Sequence, residues 1–488
     1  MNPGRGAAAA DRLSLHDRFM AAGSIGDASR LAFLHGPSTT WTEAEIAALW
    51  EGAVRSPASP LEPQNCIYVH VPFCKSICHF CNYDRLQPSS PELLKTWLAR
   101  VLGSIDMLSP AVRPLTFHSL YIGGGTPSVL PARMLHDLLR AIDTKFDWHP
   151  RASRKLEFDP GVMNRERLTV LVEHGFRDLS FGIQTLDPEV NSRHNRGRQG
   201  IEMIERSFED LKAVGIDSVA CDFLIGLEGT SPEGILAELE TVLRRFRPTW
   251  VDVFMLTPTH EYVKRFFGES WNAFWAHYRR FEDVVPAALP ALANRAGYVV
   301  QVGQGHHMCL KRRPGLLEKL KPVRHLSPIC SYTPLAANAR RPVNVLGLGR
   351  SARSGIFGVA AFESRDPGDD PAIEGAPHYS GHRVDVGGEA TSYLAHRLRD
   401  TDSLDRTEFE QVFGRDVTDV IPEALAGWQL EGTARLDERA LRFVPQDRLA
   451  RIRSLMWLVP REAIEFDLGR QGPSASRPAV TRLRIAGQ

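Results

Sequence analysis

Along this chain, short apolar runs alternate with stretches in which apolar residues recur every third or fourth position. Ile67–Val71, Ser119–Ile122, Leu156–Phe158, Asp178–Ile183, Ser218–Leu224 and Trp250–Phe254 read as strands. Helical stretches lie between them. Leu94, Trp97, Leu98, Val101 and Ile105 fall on one helical face. Another helix opens at Thr230-Ser231-Pro232-Glu233, where a hydroxyl cap, a first-turn proline and an early acid agree. Six strand–helix units with right-handed crossovers predict an α/β fold around a parallel, curled sheet.

Past Tyr298-Val299-Val300-Gln301 the alternation fades. Next comes a basic stretch, with Lys311, Arg312, Arg313, Lys319, Lys321 and Arg324; it reads as a solvated face, with contact to an anionic substrate as the alternative. Residues 365–382 are rich in Gly, Asp and Pro and read as a linker or flap. Helical patterns return at Tyr393–Leu398, Thr407–Phe413 and Val417–Ala426, then two strands at Thr433–Leu436 and Ala440–Val444. That order suggests a small winged-helix-like domain, without the basic recognition helix that DNA binding needs. The expected partition is a variable extension (1–60, with a helix near Thr42–Val54), a barrel (61–305), barrel completion and linker (306–388), a C-terminal domain (389–460) and a tail (461–488).

Composition narrows the function. At 488 residues and 43% hydrophobic content the chain has material for a full core and more than one domain. A net charge of +1 argues against nucleic acid or a membrane surface as a partner held by bulk electrostatics. No apolar run approaches the roughly 18–20 residues that span a bilayer. A monomer in a reducing cytoplasm, acting on a small molecule, is the expectation.

The most specific signal is Cys74-Lys75-Ser76-Ile77-Cys78-His79-Phe80-Cys81, a CxxxCxxC just past the first strand. With only 7 Cys in the chain, such spacing is not casual. It suits three corners of a 4Fe-4S cube and leaves one iron without a protein ligand. A zinc loop or a disulfide are the other readings, though zinc asks for a fourth ligand and disulfides belong to secreted chains. Tyr68 and His70 share one face of the preceding strand and border this loop. Farther on, Tyr121-Ile122-Gly123-Gly124-Gly125-Thr126-Pro127 reads as a strand ending in bare backbone that a ligand's charged end can approach.

Together the two motifs resemble the radical SAM superfamily, and within it the group related to oxygen-independent coproporphyrinogen III dehydrogenase. The resemblance implies a three-quarter (β6α6) TIM-like barrel with a small helical C-terminal domain. It implies a cluster on Cys74, Cys78 and Cys81 whose open iron binds S-adenosylmethionine (SAM), with Gly124, Gly125 and Thr126 at the methionine end. Lys155-Leu156-Glu157-Phe158-Asp159-Pro160 is similar to the family's third strand, placing Glu157 at the SAM site. Leu179-Ser180-Phe181-Gly182-Ile183-Gln184 is similar to its "SFGIQ" strand, with Gln184 facing ligand. Asn195-Arg196 resembles its "NR" pair, making Arg196 a partner for the SAM carboxylate, and Asp222-Phe223-Leu224-Ile225-Gly226-Leu227 puts Asp222 against the cofactor. Tyr68 joins this cofactor-binding set. Asn344-Val345-Leu346-Gly347-Leu348-Gly349-Arg350-Ser351-Ala352 resembles the "LGLGxSA" segment.

Within the family the reaction differs by branch. The dehydrogenase has a further Cys two residues past the third ligand; here Tyr83 stands there. Cys81-Asn82-Tyr83 resembles the motif ending of the class C methyltransferases and cyclopropanases, which use two SAM molecules. The haem chaperones carry a His-Asn-x-x-Tyr-Trp motif where this chain reads Ser327-Pro328-Ile329-Cys330-Ser331-Tyr332. The expectation is therefore C-alkylation of an unsaturated or aromatic small molecule, with electrons from a flavodoxin or ferredoxin. Oxidative decarboxylation of a porphyrinogen is second and haem carriage third. His306, His307 and Cys309 read as an echo of a family segment rather than a metal site, and Cys221 as core.

Overall fold

A computed structural model of the protein describes residues 11–19, 38–216, 218–302, 307–313, 341–365, 378–444 and 448–470. The chain divides into two compact units, one of Ile67–Asp106 with Thr116–Ile329, the other of Met1–Cys66, Met107–Leu115 and Cys330–Gln488.

The first unit is the predicted succession of strand and helix. Gln64–Val71, Thr116–Gly124, Asp147–Phe158, Asp178–Gln184, Ser218–Ile225 and Trp250–Met255 stand side by side in chain order. From the second to the sixth strand each pairs parallel with the next. Helices such as Pro91–Leu108, Ala132–Lys145, Ile201–Ala213 and Pro232–Arg245 make the crossovers. The last begins as expected, with Ser231 Oγ accepting from the Gly234 amide at 3.1 Å and Pro232 in the first turn. This is the β6α6 partial barrel. Beyond it the pattern changes sense: His307–Arg312 lies antiparallel to the sixth strand and Tyr298–Val302 antiparallel to that. A 26-residue helix, Trp271–Ala296, precedes this pair and ends at Gly297, whose φ of 83° is the left-handed cap that glycine suits.

Strand parity sets where the site lies. On the sixth strand Val251, Val253 and Met255 are buried, while Trp250, Asp252 and Phe254 are not. The same alternation sends Leu156 and Phe158 one way and Lys155 and Glu157 the other. One face of the sheet is thus an apolar wall and the other a polar chamber.

The second unit departs from the expected partition. Thr39–Thr42 pairs antiparallel with His378–Arg383, Trp41 opposite Tyr379. The helix Glu43–Arg55 comes next, closed by a capping box in which the Thr42 amide donates to Glu45 Oε2 at 2.7 Å. Val343–Leu348, Arg353–Ile356 and Ala360–Arg365 continue this antiparallel sheet. So His378–Arg383 is a strand rather than part of a flap, and the 306–388 stretch does not extend the βα repeat. The "LGLG" segment forms the Val343–Leu348 strand and the turn after it. Residues 11–19 are helical and bury Leu15 and Phe19 among Tyr393, Phe409, Trp428 and Trp457. Arg461–Arg470 is likewise a helix, with Ala463 and Ile464 in the same core. The helix-rich C-terminal portion contains a small antiparallel sheet in which Ser403–Asp405 is added to the Ala434–Leu436 and Ala440–Phe443 pair, and the helices Arg448–Leu455 and Arg461–Arg470 follow it.

One histidine of this core carries a measurable consequence. His16 is fully buried, its ring edge-on to Trp457 at 5.0 Å, and neither ring nitrogen has a hydrogen-bond partner. Burial, with Arg12 and Arg453 adding repulsion, holds its pKa down to about 3. The unfolded chain takes up a proton here below about pH 6.5 while the folded one does not, so stability falls as acid is added. The loss assignable to His16 is about 2 kcal/mol between about pH 7 and pH 5. Denaturant unfolding at the two pH values checks this: the His16→Phe variant is expected to lose that much less than wild type.

Candidate active site

The loop after the first strand is held from two sides. On one side the glycine run clasps it: the Gly125 amide donates to Val71 O at 2.8 Å and the Thr126 amide to Phe73 O at 2.7 Å. The Thr126 hydroxyl reaches Cys74 Sγ at 3.5 Å. A Cβ on Gly125 would sit 2.7 Å from Phe73 O and 3.0 Å from Cys74 Sγ, so only glycine permits this approach. On the other side the chain after the fourth strand takes hold. Asn195 Nδ2 donates to Ile77 O at 2.9 Å, and the His79 amide donates to His194 O at 3.0 Å. Within the loop, the Cys81 amide donates to Cys78 O.

Tyr68 acts one residue removed. Its hydroxyl lies 3.0 Å from His70 Nδ1, and His70 Nε2 lies 3.1 Å from Asp84 O. A carbonyl only accepts, so Nε2 carries the proton and Nδ1 accepts from Tyr68. The ring so fixed fills the space beside Gly124, whose φ of 107° no side chain would tolerate there.

Arg196 closes the loop from below. Its Nη2 donates to Gly182 O at 2.6 Å and pairs with Asp159 at 3.5 Å, while Nη1 lies 3.9 Å from Cys78 Sγ. Its Nε is buried without a partner. Gln184 ends the fourth strand at φ 65°, and a Cβ on Gly182 would collide with its amide and lie 3.0 Å from Arg196 Nη2.

Below this rim lie the carboxylates. Tyr121 Oη donates to Glu157 Oε1. Burial raises the Glu157 pKa against that bond and the nearby Lys155. Asp222 is raised well above the usual carboxylate range, by burial first, then by Asp252 and Glu157, with Lys155 and Arg196 opposing. Asp252 stands beside Asp222 in register, and Cys309 beside Asp252. The Cys309 thiol, hydrogen-bonded to Asp252, is pushed up to about 12 by burial and that carboxylate.

The structure therefore brings Cys74, Cys78, Cys81, Gly124, Gly125, Thr126, Gln184 and Arg196 into one neighbourhood, with Glu157 and Asp222 beneath and Tyr68 reaching it through His70. Reading the sequence missed Tyr121, Lys155, Asp159, Asn195, Asp252 and Cys309. For Lys155 and Tyr121 the signal was available, since each shares parity with a residue that was named, Glu157 and Gly125; Asp252 is placed only by the pairing of its strand beside Asp222. Cys221 is fully buried core, as expected. Arg312 donates to Arg247 O and Arg313 to Asn294 Oδ1, which ties up this part of the basic stretch. Lys319, Lys321, Arg324, His306 and the Ser327–Tyr332 stretch lie outside the described residues.

The cysteines fit a cluster better than the alternatives. All six described cysteines are free thiols. Among the described residues no three His, Cys, Asp or Glu side chains gather at the spacing of a single ion. Burial raises Cys78 and lifts Cys74 to about 11, so thiolates here call for the positive charge that iron supplies. Three soft sulfur donors on one loop, beside a buried guanidinium nitrogen awaiting an acceptor, suit a 4Fe-4S cube with an anionic neighbour.

Comparison with known proteins agrees. Residues 68–242 match the radical SAM superfamily. The oxygen-independent coproporphyrinogen III oxidase of Paracoccus denitrificans is 32% identical over 178 residues, which are 36% of this chain and 39% of that protein. The heme chaperone HemW of Lactococcus lactis is 28% identical over 183 residues, 38% of this chain and 47% of that one. The chain thus matches less than half the length of these two relatives. The solved structure of Escherichia coli coproporphyrinogen III oxidase, HemN, superposes with a TM-score of 0.65 at 20% identity, covering 86% of this chain and 94% of its own, which shows a shared fold. Among the described residues no helix is long and apolar enough to cross a membrane. Residues 68–242 are thus similar to radical SAM proteins, whose superfamily is named for S-adenosylmethionine, and the chain shares the fold of HemN.

Proposed function

We propose that this protein is a radical SAM enzyme that takes a hydrogen atom from a small-molecule substrate. One observation carries the reading: the glycine clasp seats Cys74 beside Thr126 while Arg196, with an unpartnered Nε, stands against Cys78. When bound, a reduced cluster would supply one electron for cleavage of S-adenosylmethionine to methionine and a 5′-deoxyadenosyl radical. Everything else falls to the chain. Cys74, Cys78 and Cys81 would hold three irons. The bare backbone of Gly124 and Gly125, with Thr126, receives the methionine end, and Arg196 meets its carboxylate. Glu157, Asp222 and Gln184 accept from the cofactor's amino and hydroxyl groups, while Tyr68 steadies the loop through His70. Placement of the substrate against the radical carbon decides which hydrogen leaves.

Once the hydrogen is gone, the first reading is oxidation of the kind the relatives' names carry: the substrate radical loses carbon dioxide from a carboxylate-bearing side chain, a carbon–carbon double bond forms, and the remaining electron passes to a one-electron acceptor. C-alkylation with a second SAM is the alternative that Cys81-Asn82-Tyr83 favours, with Tyr83 49% exposed where an oxidase has cysteine. The relatives lend that alternative no weight. A flavodoxin or ferredoxin is the electron donor in either case.

An anaerobic assay with a strong reductant and SAM bearing a deuterated methyl group tests this. 5′-Deoxyadenosine with carbon dioxide and unlabelled product supports oxidation; label in product with S-adenosylhomocysteine supports alkylation; haem binding with no SAM cleavage refutes both. Replacing Cys74, Cys78 or Cys81 with Ala is expected to abolish 5′-deoxyadenosine. Gly125→Ala is expected to hold at least about twofold less iron and sulfide after reconstitution, because its methyl displaces Cys74. Gly103→Ala, which meets nothing within 4 Å, is expected to hold the wild-type amount.

A further inference from the structure

Lys155 is a cation in the chamber floor to which neither the motif comparison nor the proposed reaction gives a role. It is 8% exposed. Its ammonium lies between two rings, 5.5 Å from the centre of Tyr121 and 5.2 Å from that of Trp250. Among the described residues it makes no hydrogen bond and no ion pair. Burial of an ammonium under such terms is costly, and two aromatic faces offset only part of it. The remaining compensation comes through space. Glu157 is two residues along the same strand, and Lys155 acts electrostatically on Glu157, Asp222 and Cys309.

The need for that charge arises from the topology. Glu157, Asp222 and Asp252 occupy inward positions on three strands, the last two adjacent in register. Asp252 and Glu157 both disfavour charge on Asp222. The ionised carboxylate is nevertheless the stronger acceptor for a cofactor hydroxyl or ammonium. We propose that Lys155 is a positioning residue whose charge, two residues from Glu157 on the same inward face, opposes the mutual repulsion of the Glu157 and Asp222 carboxylates and so favours their ionised forms for binding S-adenosylmethionine. This rests on the reading of the rim as a SAM site.

The groups that face this field are Glu157 on its own strand, Tyr121 on the second, Asp178 on the fourth, Asp222 on the fifth, Asp252 on the sixth and Cys309 on the antiparallel addition. Arg196 contributes from above. Lys155 opposes the burial and the neighbouring carboxylates that disfavour charge on Asp222, so removing it is expected to move the acid-side loss of affinity to higher pH.

The test is SAM binding by equilibrium dialysis to the anaerobically reconstituted protein, without reductant, from about pH 6 to 9. Titration of SAM itself is common to all variants. Lys155→Met is expected to move the acid-side loss of affinity up by about one pH unit, binding about tenfold more weakly at pH 7 and near wild type at pH 9. Lys155→Arg is expected to restore the wild-type profile. Asp252→Asn, which removes a competing carboxylate, is expected to move the loss the opposite way and keeps the test open should Lys155→Met fail to fold. A Lys155→Met profile parallel to wild type at every pH, or an unmoved Asp252→Asn profile, overturns the proposal. Wild-type protein that binds no SAM at any pH overturns instead the functional reading beneath it.

Discussion

Two backbone hydrogen bonds, from Gly125 to Val71 O and from Thr126 to Phe73 O, decide where the cysteine loop sits. They join the ends of two neighbouring strands, so the loop takes its position from the sheet rather than from its own flexible chain. Because they are main-chain bonds, they need the second strand's end to come within bonding distance of the first's. That approach leaves no room for a Cβ at Gly125. The Thr126 hydroxyl then falls on Cys74 without further adjustment. Asn195 and His194 supply the opposing grip, and a loop held from both sides can present three thiols in a constant geometry.

The rest of the site is an electrostatic consequence of strand parity. An α/β barrel wall must be apolar toward its helices, which leaves the other face free to be polar. In this chain that face carries Lys155, Glu157, Asp222 and Asp252 close together. Low dielectric surroundings magnify each of these charges on its neighbours. Tyr121 and Arg196 then serve as the donors and counter-charge that such a chamber requires: Tyr121 bonds Glu157, and Arg196 is balanced by Asp159.

Legibility differed along the chain for identifiable reasons. The βα repeat was readable because each strand and helix buries one face, and periodicity arises directly from that. The Ser231 cap, the Thr42–Glu45 box and the Gly297 terminus are local devices, written within four residues of the helix ends they close. The second unit resisted because its partners are far apart in sequence. Leu15 and Phe19 look like unremarkable apolar residues in an Ala-rich stretch until Tyr393 and Trp457 are packed against them. His378–Arg383 reads as loop composition until Thr39–Thr42 pairs with it.

The chemistry-bearing motif was a property of the sequence itself: the spacing of Cys74, Cys78 and Cys81 and the run Gly123-Gly124-Gly125-Thr126 name the kind of site whatever the chain does around them. Tertiary structure alone decided that Arg196 faces Cys78, that its Nε is buried without a partner, and that Asp252 and Lys155 share a chamber with Asp222. The division has a physical cause. Ligand spacing and caps are set by bonds a few residues long, whereas charge placement depends on which strands become neighbours, and only the assembled sheet determines that.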